Sequence, residues 1–448
     1  MRMWASEVAV ATGGELIGDD VLLDGAVQDS RAMVSGCLFV PLVAERDGHD
    51  FVNEAMAGGA GATLWHRDGL PGYGPVVRVS DTLVALGHLG AAARRSIGAA
   101  ARVVGITGSV GKTSTKDLLA AVLAQSGNVH ASDRSFNNEI GVPLTLLNAP
   151  NDVDHVVVEM GARRVGDIAA LVTVARPDVG VLTTVAPAHT EVFGSLEAVA
   201  ITKGELLDGL PASGCAVVNA DVPEALAQAK RARCPLLTFG TDGEVRARDI
   251  RLDEVLRPTF RLESPWGRAE VNLEARGSHM VSNALAAAAV GLVEGVRIDD
   301  VVAGLAEARL SPWRMEVLEG SSGVTVVNDA YNANPESMRA ALAALAALPG
   351  SGRRIAVLGV MAELGDGGPA AHREVLFHAE EAGIEVLAVG TDLYGPTGLN
   401  GIDAALAALV NRSPGPGDAV LVKGSRVAGL EALVEGLTGK PARAQTDR

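Results

Sequence analysis

The chain is poor in cysteine, in basic charge and in long apolar runs, and each shortage removes a class of protein. Three cysteines, Cys37, Cys215 and Cys234, are too far apart for a paired metal motif and odd in number for a closed disulfide set, so buried thiols in a reducing compartment are expected. Lysine and arginine together number 38 against 54 aspartates and glutamates, a net charge of −16. With no basic stripe to replace the counterions around phosphates, nucleic acid is not an expected partner. No run of about 20 apolar residues could span a bilayer, and the opening Met-Arg-Met-Trp-Ala-Ser-Glu has no apolar signal core. A cytoplasmic protein without a membrane span is therefore expected. The length of 448 residues exceeds one ordinary core and implies two or three domains.

Against these absences stands one dense segment. Val103-Val104-Gly105-Ile106-Thr107-Gly108-Ser109-Val110-Gly111-Lys112-Thr113 runs from β-branched apolar residues into a glycine loop ending in Gly-Lys-Thr. Strand, loop and helix in that order make a phosphate cradle for ATP or GTP. Glycines let backbone N–H groups approach phosphate oxygens, the helix adds its positive end, Lys112 supplies a cation, and the Thr113 hydroxyl is placed to ligate magnesium. Where the commonest template has its first glycine, this chain has Ile106. Leu118, Leu119 and Val122 are spaced to bury one face of the helix that follows.

The pattern of elements is α/β in three domains. Residues 1–82 read as a small α/β unit with strands over 37–41 and 62–65 and a helix over 51–57. Residues 83–311 alternate strands and helices as a mainly parallel sheet requires, with strands over 102–107, 155–159 and 179–185. A break at Leu310-Ser311-Pro312 precedes a third, Rossmann-like unit over 312–448, with strands over 324–328, 354–358, 385–389 and 419–422 and a helix over 337–348. No Gly-x-Gly-x-x-Gly follows its first strand.

Two further features carry chemistry. Glu159 closes the run Val156-Val157-Val158-Glu159 at the carboxyl end of a buried strand, the edge where open α/β sheets bind ligands. It is placed either to hold magnesium or to cap a neighbouring helix. In the helix beginning near Ser195, Lys203 falls within the apolar face formed by Leu196, Val199, Ala200, Leu206, Leu207 and Leu210. A buried ammonium must snorkel, find a carboxylate such as Glu159, or lose its charge. Modification by carbon dioxide would make it a carbamate, an oxygen ligand for a hard cation. His189, by itself, reads as a loop histidine.

Together these residues resemble the Mur ligase family, ATP-dependent amide-bond ligases of peptidoglycan synthesis, across nearly the whole chain. The family's phosphate loop has the Gly-x-x-Gly-Lys-Thr form of Gly108 to Thr113, which accounts for Ile106. The most specific blocks are Asn137-Asn138-Glu139-Ile140-Gly141-Val142-Pro143, Asn328-Asp329-Ala330-Tyr331-Asn332-Ala333-Asn334-Pro335-Glu336-Ser337-Met338 and Lys423-Gly424-Ser425-Arg426. They are most similar to the member that adds D-alanyl-D-alanine to UDP-N-acetylmuramoyl-tripeptide. No Asp-Asn-Pro-Arg motif, the diaminopimelate-reading signature of the preceding ligase, is present.

The resemblance implies an N-terminal domain for the uridine nucleotide, a central ATPase and a C-terminal domain that closes over both; a monomer is expected. It implies ATP and two magnesium ions, with Thr113, Glu159, His189 and Lys203 as metal ligands and Lys203 at the carbamylated position. Gly108, Ser109, Val110, Gly111, Lys112, Thr113 and Ser114 would hold the phosphates, and Asn138 would position the γ-phosphate. His279 and Asn283 would meet the base, although Met280 stands where relatives have asparagine. Arg314, Asp329 and Tyr331 would reach the nucleotide from the C-terminal domain, with a hinge ion pair as the alternative role for Arg314 and Asp329. Ser30, Arg31 and His49 would bind the UDP-sugar, Asn332 and Asn334 the acceptor side. Val360 replaces an acidic residue of many relatives, leaving Glu363 and His372 as polar candidates that helix capping would equally explain. Another Mur-type ligase and a nucleotide-switched regulatory protein are the alternative readings.

Overall fold

A computed structural model describes residues 1–72, 74–98, 101–133, 135–187 and 190–440. The central sheet has six parallel strands in the order Leu236–Phe239, Cys215–Asn219, Val179–Leu182, Arg102–Thr107, His155–Glu159 and Val129–Ala131. Its middle strands have apolar, fully buried interiors, with polar residues confined to their ends and only Arg102 half-buried, because helices cover both faces. The strand expected over 179–185 stops at Leu182, since Thr183 to Ala186 turn aside to brace the phosphate loop.

The N-terminal sheet runs in the order Glu15–Ile17, Val76–Arg78, Ala62–Trp65, Leu38–Phe39 and Ala26–Val27, with only the first pair antiparallel. It is tied to the central unit by Asn148, whose carboxamide accepts from Ala26 N at 2.9 Å and donates to Ala26 O at 3.0 Å. The third sheet has the order Glu316–Glu319, Thr325–Asn328, Ala419–Lys423, Arg354–Leu358 and Glu385–Ala388, antiparallel only at the first strand.

Two elements depart from the alternating pattern expected of the sequence. Residues 246–272 form an antiparallel meander of Arg246–Leu252, Pro258–Ser264 and Gly267–Asn272, because apolar residues there recur at every second position. Phe260, Leu262 and Val271 face the core while arginines and glutamates between them face solvent. Glu316–Glu319 adds an edge strand to the third sheet. Among the cysteines, Cys37 and Cys215 are buried free thiols as expected, whereas Cys234 is half-buried just before the edge strand Leu236–Phe239.

The phosphate-loop helix Lys112–Leu123 packs against helices Met280–Val293 and Ile298–Glu307. Close approach depends on Gly304, where a Cβ would lie 2.6 Å from Val122 Cα and 2.7 Å from Ala121 O. Both are backbone atoms and cannot swing away. Gly304→Ala is expected to destabilise the fold by about 1–3 kcal/mol through overpacking. Gly87→Ala, in helix Thr82–Ser96 with nothing within 4 Å of the new methyl, is expected to stabilise it by about 1 kcal/mol. Denaturant unfolding of both variants checks the opposite signs.

Candidate active site

The strand Arg102–Thr107 delivers the loop at the carboxyl edge of the sheet, and the helix opens at Lys112. Gly108 has φ +152° and a Cβ there would sit 2.0 Å from Thr183 Oγ1, while Gly111 has φ +87° and would meet Asn283 Oδ1 at 2.4 Å. Only glycine fits either position. Ser109 N donates to Thr184 O at 2.9 Å, Val110 N to Thr184 Oγ1 at 2.8 Å, and Ser109 Oγ to Ala186 O at 2.9 Å. Those contacts use up two loop amides internally. The donors left for a phosphate are the opening amides of the helix, Lys112, Thr113 and buried Ser114, which lack intrahelical acceptors. Lys112 Nζ donates to Gly108 O at 2.8 Å, keeping the ammonium over the loop. Burial pushes its pKa down, Glu159 opposes this, and the charge of Arg314 adds to it.

Glu159 is 1% exposed, and both of its oxygens are engaged. Thr113 Oγ1 donates to Oε2 at 2.7 Å, and Asn137 Nδ2 donates to Oε1 at 2.8 Å. Lys203, in helix Leu196–Asp208 capped by Ser195, is 3% exposed and makes no hydrogen bond or ion pair among the described residues. It neither snorkels nor pairs with Glu159. Burial, reinforced by the charge of Lys112, lowers its pKa to about 7, so much of the amine is neutral near that pH. His189 lies outside the described residues. Among the described residues no group of three or more histidines, cysteines and carboxylates converges for a metal. The donors that are present, the Thr113 hydroxyl and the Glu159 carboxylate, are buried oxygens that suit a hard cation. Lys203 would join them only after its nitrogen became a carbamate.

The third unit faces this edge. The Arg314 guanidinium stacks 4.3 Å from the Tyr331 ring centroid, and its buried Nε has no hydrogen-bond partner among the described residues. The Tyr331 hydroxyl hydrogen-bonds Ser135 Oγ of the central unit. Asp329 accepts from Met315 N at 3.2 Å and from Lys423 Nζ at 2.5 Å, and Lys423 also donates to Asn332 O at 2.9 Å. Arg314 and Asp329 are therefore not paired with each other. His279 is pushed toward its neutral form by burial, with Asp329 opposing and Lys423 assisting. Asn283 is 8% exposed, and its Oδ1 lies 3.4 Å from Thr115 Oγ1. Its Nδ2 contacts Met280 Sδ at 3.4 Å.

The remaining candidates are spread more widely. Asn138 is exposed, and its Oδ1 accepts from Gly141 N at 3.0 Å, at the start of helix Gly141–Leu147. Asn334 caps helix Pro335–Ala347 by accepting from Ser337 N at 2.9 Å, and the Asn332 side chain is exposed. Arg31 is exposed and paired with Asp29, with Ser30 in the same 3-10 turn. His49 is 4% exposed, its Nδ1 lies 2.7 Å from Asp47 Oδ1, and its ring packs edge-on to Trp65 and His66. In that position the imidazole faces inward, toward the N-terminal unit's own interior. His372 is fully buried, accepting from Met361 N at 2.9 Å and contacting Gly368 O at 2.7 Å, so it braces the loop that carries Val360 and exposed Glu363. Sequence reasoning assigned no role to Asn137 or Lys423. The available signals were the doubled asparagine and a lysine ending a buried strand.

Known proteins are similar to this chain in sequence and fold. The Mur ligase middle domain matches residues 106–291, and the Mur ligase, glutamate ligase domain matches residues 313–426. The chain is similar to the UDP-N-acetylmuramoyl-tripeptide--D-alanyl-D-alanine ligase of Escherichia coli (strain K12), 39% identical over 446 residues that cover 96% of this chain and 97% of that one. It is 40% identical to the ligase of the same name from Mycobacterium tuberculosis (strain ATCC 25618 / H37Rv), covering 96% of this chain and 98% of that one. A crystal structure of MurF from Acinetobacter baumannii superimposes with a TM-score of 0.89 at 30% identity, over 98% of this chain and 99% of that one. MurF from Thermotoga maritima in complex with ADP does so with a TM-score of 0.80 at 30% identity, over 92% and 96%. With one domain match spanning the phosphate loop, Glu159 and Asn283, the other spanning Arg314 and Lys423, and identity sustained along nearly the whole length, the chain belongs to the Mur ligase family.

Proposed function

We infer that this chain is an ATP-dependent ligase that joins D-alanyl-D-alanine to UDP-N-acetylmuramoyl-tripeptide, forming the UDP-N-acetylmuramoyl-pentapeptide of peptidoglycan synthesis. The observation that carries the reading is the phosphate-loop helix whose Thr113 hydroxyl bonds a buried strand-end carboxylate, in a chain matched end to end by ligases of that name. In this reading residues 1–82 hold the uridine nucleotide, with Ser30 and Arg31 at its surface and His49 ordering the loop from within. Residues 83–311 hold ATP, and 312–448 close over both. ATP and a nucleotide-linked substrate place the reaction in the cytoplasm.

The chemistry runs in two steps. A carboxylate oxygen of the tripeptide attacks the γ-phosphorus of ATP and ADP leaves, giving an acyl phosphate. The free amine of D-alanyl-D-alanine then attacks the acyl carbon, loses a proton, and expels phosphate from the tetrahedral intermediate. A carboxylate resists attack by an amine until phosphorylation supplies a leaving group, so ATP is used first. Lys112 offsets charge spreading over the transferred phosphoryl group, with Arg314 approaching from the third unit. His279 and Asn283 flank the base, Asp329 and Tyr331 border the nucleotide, and Asn332 and Asn334 lie on the acceptor side. Asn138 sits on the γ-phosphate side while its carboxamide oxygen caps a helix. Two magnesium ions, held by Thr113, Glu159, His189 and carbamylated Lys203, would neutralise phosphate charge when bound. The carbamate forms when the neutral Lys203 amine attacks carbon dioxide and gives up a proton; a pKa lowered to about 7 keeps that amine available.

Phosphate release from ATP and magnesium is expected to require both the tripeptide and D-alanyl-D-alanine, with the pentapeptide appearing by mass spectrometry. Release that ignores D-alanyl-D-alanine but answers to a single amino acid would move the assignment to a sister ligase. Dependence on neither substrate would point to a regulatory protein. Lys203→Ala is expected to lower turnover at least 100-fold, an order-of-magnitude figure for losing charge stabilisation of the transition state, with partial recovery in a short carboxylate. Wild-type turnover by that variant without additive would remove the carbamate from the mechanism.

A further inference from the structure

Both carboxylate oxygens of Glu159 accept hydrogen bonds, and the two donors differ in kind. Thr113 Oγ1, on Oε2, belongs to the phosphate-loop helix and can rotate its proton elsewhere. Asn137 Nδ2, 2.8 Å from Oε1, cannot. Gly161 lies on the other side, its N–H donating to the backbone carbonyl of Asn137 at 2.7 Å and so fixing the main chain that carries the amide. A Cβ on Gly161 would fall 2.7 Å from Asn137 Oδ1, 2.9 Å from Cγ and 3.2 Å from Nδ2, so the carboxamide packs against that glycine with its oxygen nearest while its Nδ2 donates to the carboxylate. A flipped amide would set oxygen against oxygen. Two residues earlier, Ser135 hydrogen-bonds Tyr331, so the segment carrying Asn137 is anchored to the third unit as well.

We propose that Asn137 is a positioning residue for the cation site: it pins Glu159 Oε1 and leaves Oε2, on the Thr113 side, as the oxygen offered to the metal. The inference rests on reading Glu159 as a magnesium ligand. Partners that orient a ligating carboxylate typically affect metal affinity by about 10–100-fold.

The test is direct binding of Mn2+ to the full chain with ADP, followed by electron paramagnetic resonance, beside ADP binding in EDTA. Asn137→Ala is expected to weaken Mn2+ at least tenfold, in line with the range above, with metal-free ADP affinity unchanged. Asn137→Asp, which sets a carboxylate against Glu159, should lose more. Gly161→Ala, which displaces the amide without touching Glu159, should fall between wild type and Asn137→Ala. Glu159→Gln calibrates the full loss. Mn2+ affinity within twofold of wild type in Asn137→Ala, while Glu159→Gln loses it, would overturn the inference alone. An equal fall of Mn2+ and metal-free ADP binding in Asn137→Ala would also overturn it, since that marks a general structural role. Wild-type Mn2+ affinity in Glu159→Gln would remove the ligand reading and the inference with it.

Discussion

The site depends on satisfying a carboxylate where water cannot reach it. Glu159 is 1% exposed at the end of a strand with no polar neighbour among Val156, Val157 and Val158, so its hydration must be replaced by fixed donors. Thr113 and Asn137 provide two, and the Glu159 backbone N–H is itself bound to Ser132 Oγ at 3.1 Å. Ser132 in turn accepts the buried Lys116 ammonium on its carbonyl at 2.7 Å. One carboxylate thus organises the first turn of the phosphate-loop helix, the end of its own strand and the loop beyond Val129–Ala131. The same burial explains why Lys112 and Lys203 are both driven toward neutrality, with the charge of Arg314 adding to the shift on Lys112 and that of Lys112 to the shift on Lys203.

The linker to the third unit is bound to that machinery at Ser311. Ser311 N donates to Asp117 Oδ2 at 2.7 Å, and Asp117 sits in the phosphate-loop helix beside Lys116. Beyond Ser311 the linker engages the third unit: Arg426 lies over the Trp313 ring at 4.6 Å, Arg314 over Tyr331, and Met315 N on Asp329. Trp313 and Met315 adopt φ of +63° and +52°, a conformation that costs non-glycine residues on the order of 1–3 kcal/mol each. Those contacts offset the strain. A rotation of the third unit that preserved them would carry the linker along and pivot at Ser311, on the helix whose first turn cradles phosphate.

Much of this was legible before the structure. The phosphate loop, the strand ending at Glu159 and the burial of Lys203 all follow from patterns with one physical meaning: glycines before a helix, an apolar run ending in a charge, and a lysine at core spacing. What escaped did so for equally physical reasons. The meander at 246–272 carries arginine and glutamate at alternate positions, which dilutes its apolar signal below that of a buried parallel strand. Asn334 reads as a binding residue in a family block, yet Asn-Pro-Glu-Ser is also a helix start, with proline at the first turn and a serine returning the hydrogen bond. Of two adjacent asparagines, sequence favoured Asn138 and the structure puts Asn137 on Glu159, a difference of side-chain direction that no spacing rule reads across a loop. His49 faces inward because its Nδ1 is committed to Asp47 within the same turn.

Met280 stands where the family resemblance leads one to expect asparagine, and it sits beside Asn283 without fixing it. A thioether is a weak acceptor and lays no strong claim on the Asn283 amide that rests against it at 3.4 Å. The orientation of Asn283 is set instead from the phosphate side, where Oδ1 meets Thr115 Oγ1 and the space left by Gly111. A side chain at position 111 would strike Asn283 2.4 Å away, so the glycine that lets the loop turn also admits the residue proposed to meet the base. The phosphate loop and Asn283 are therefore coupled through that close contact, and Met280 leaves it intact because it competes for the amide nitrogen and not for the oxygen.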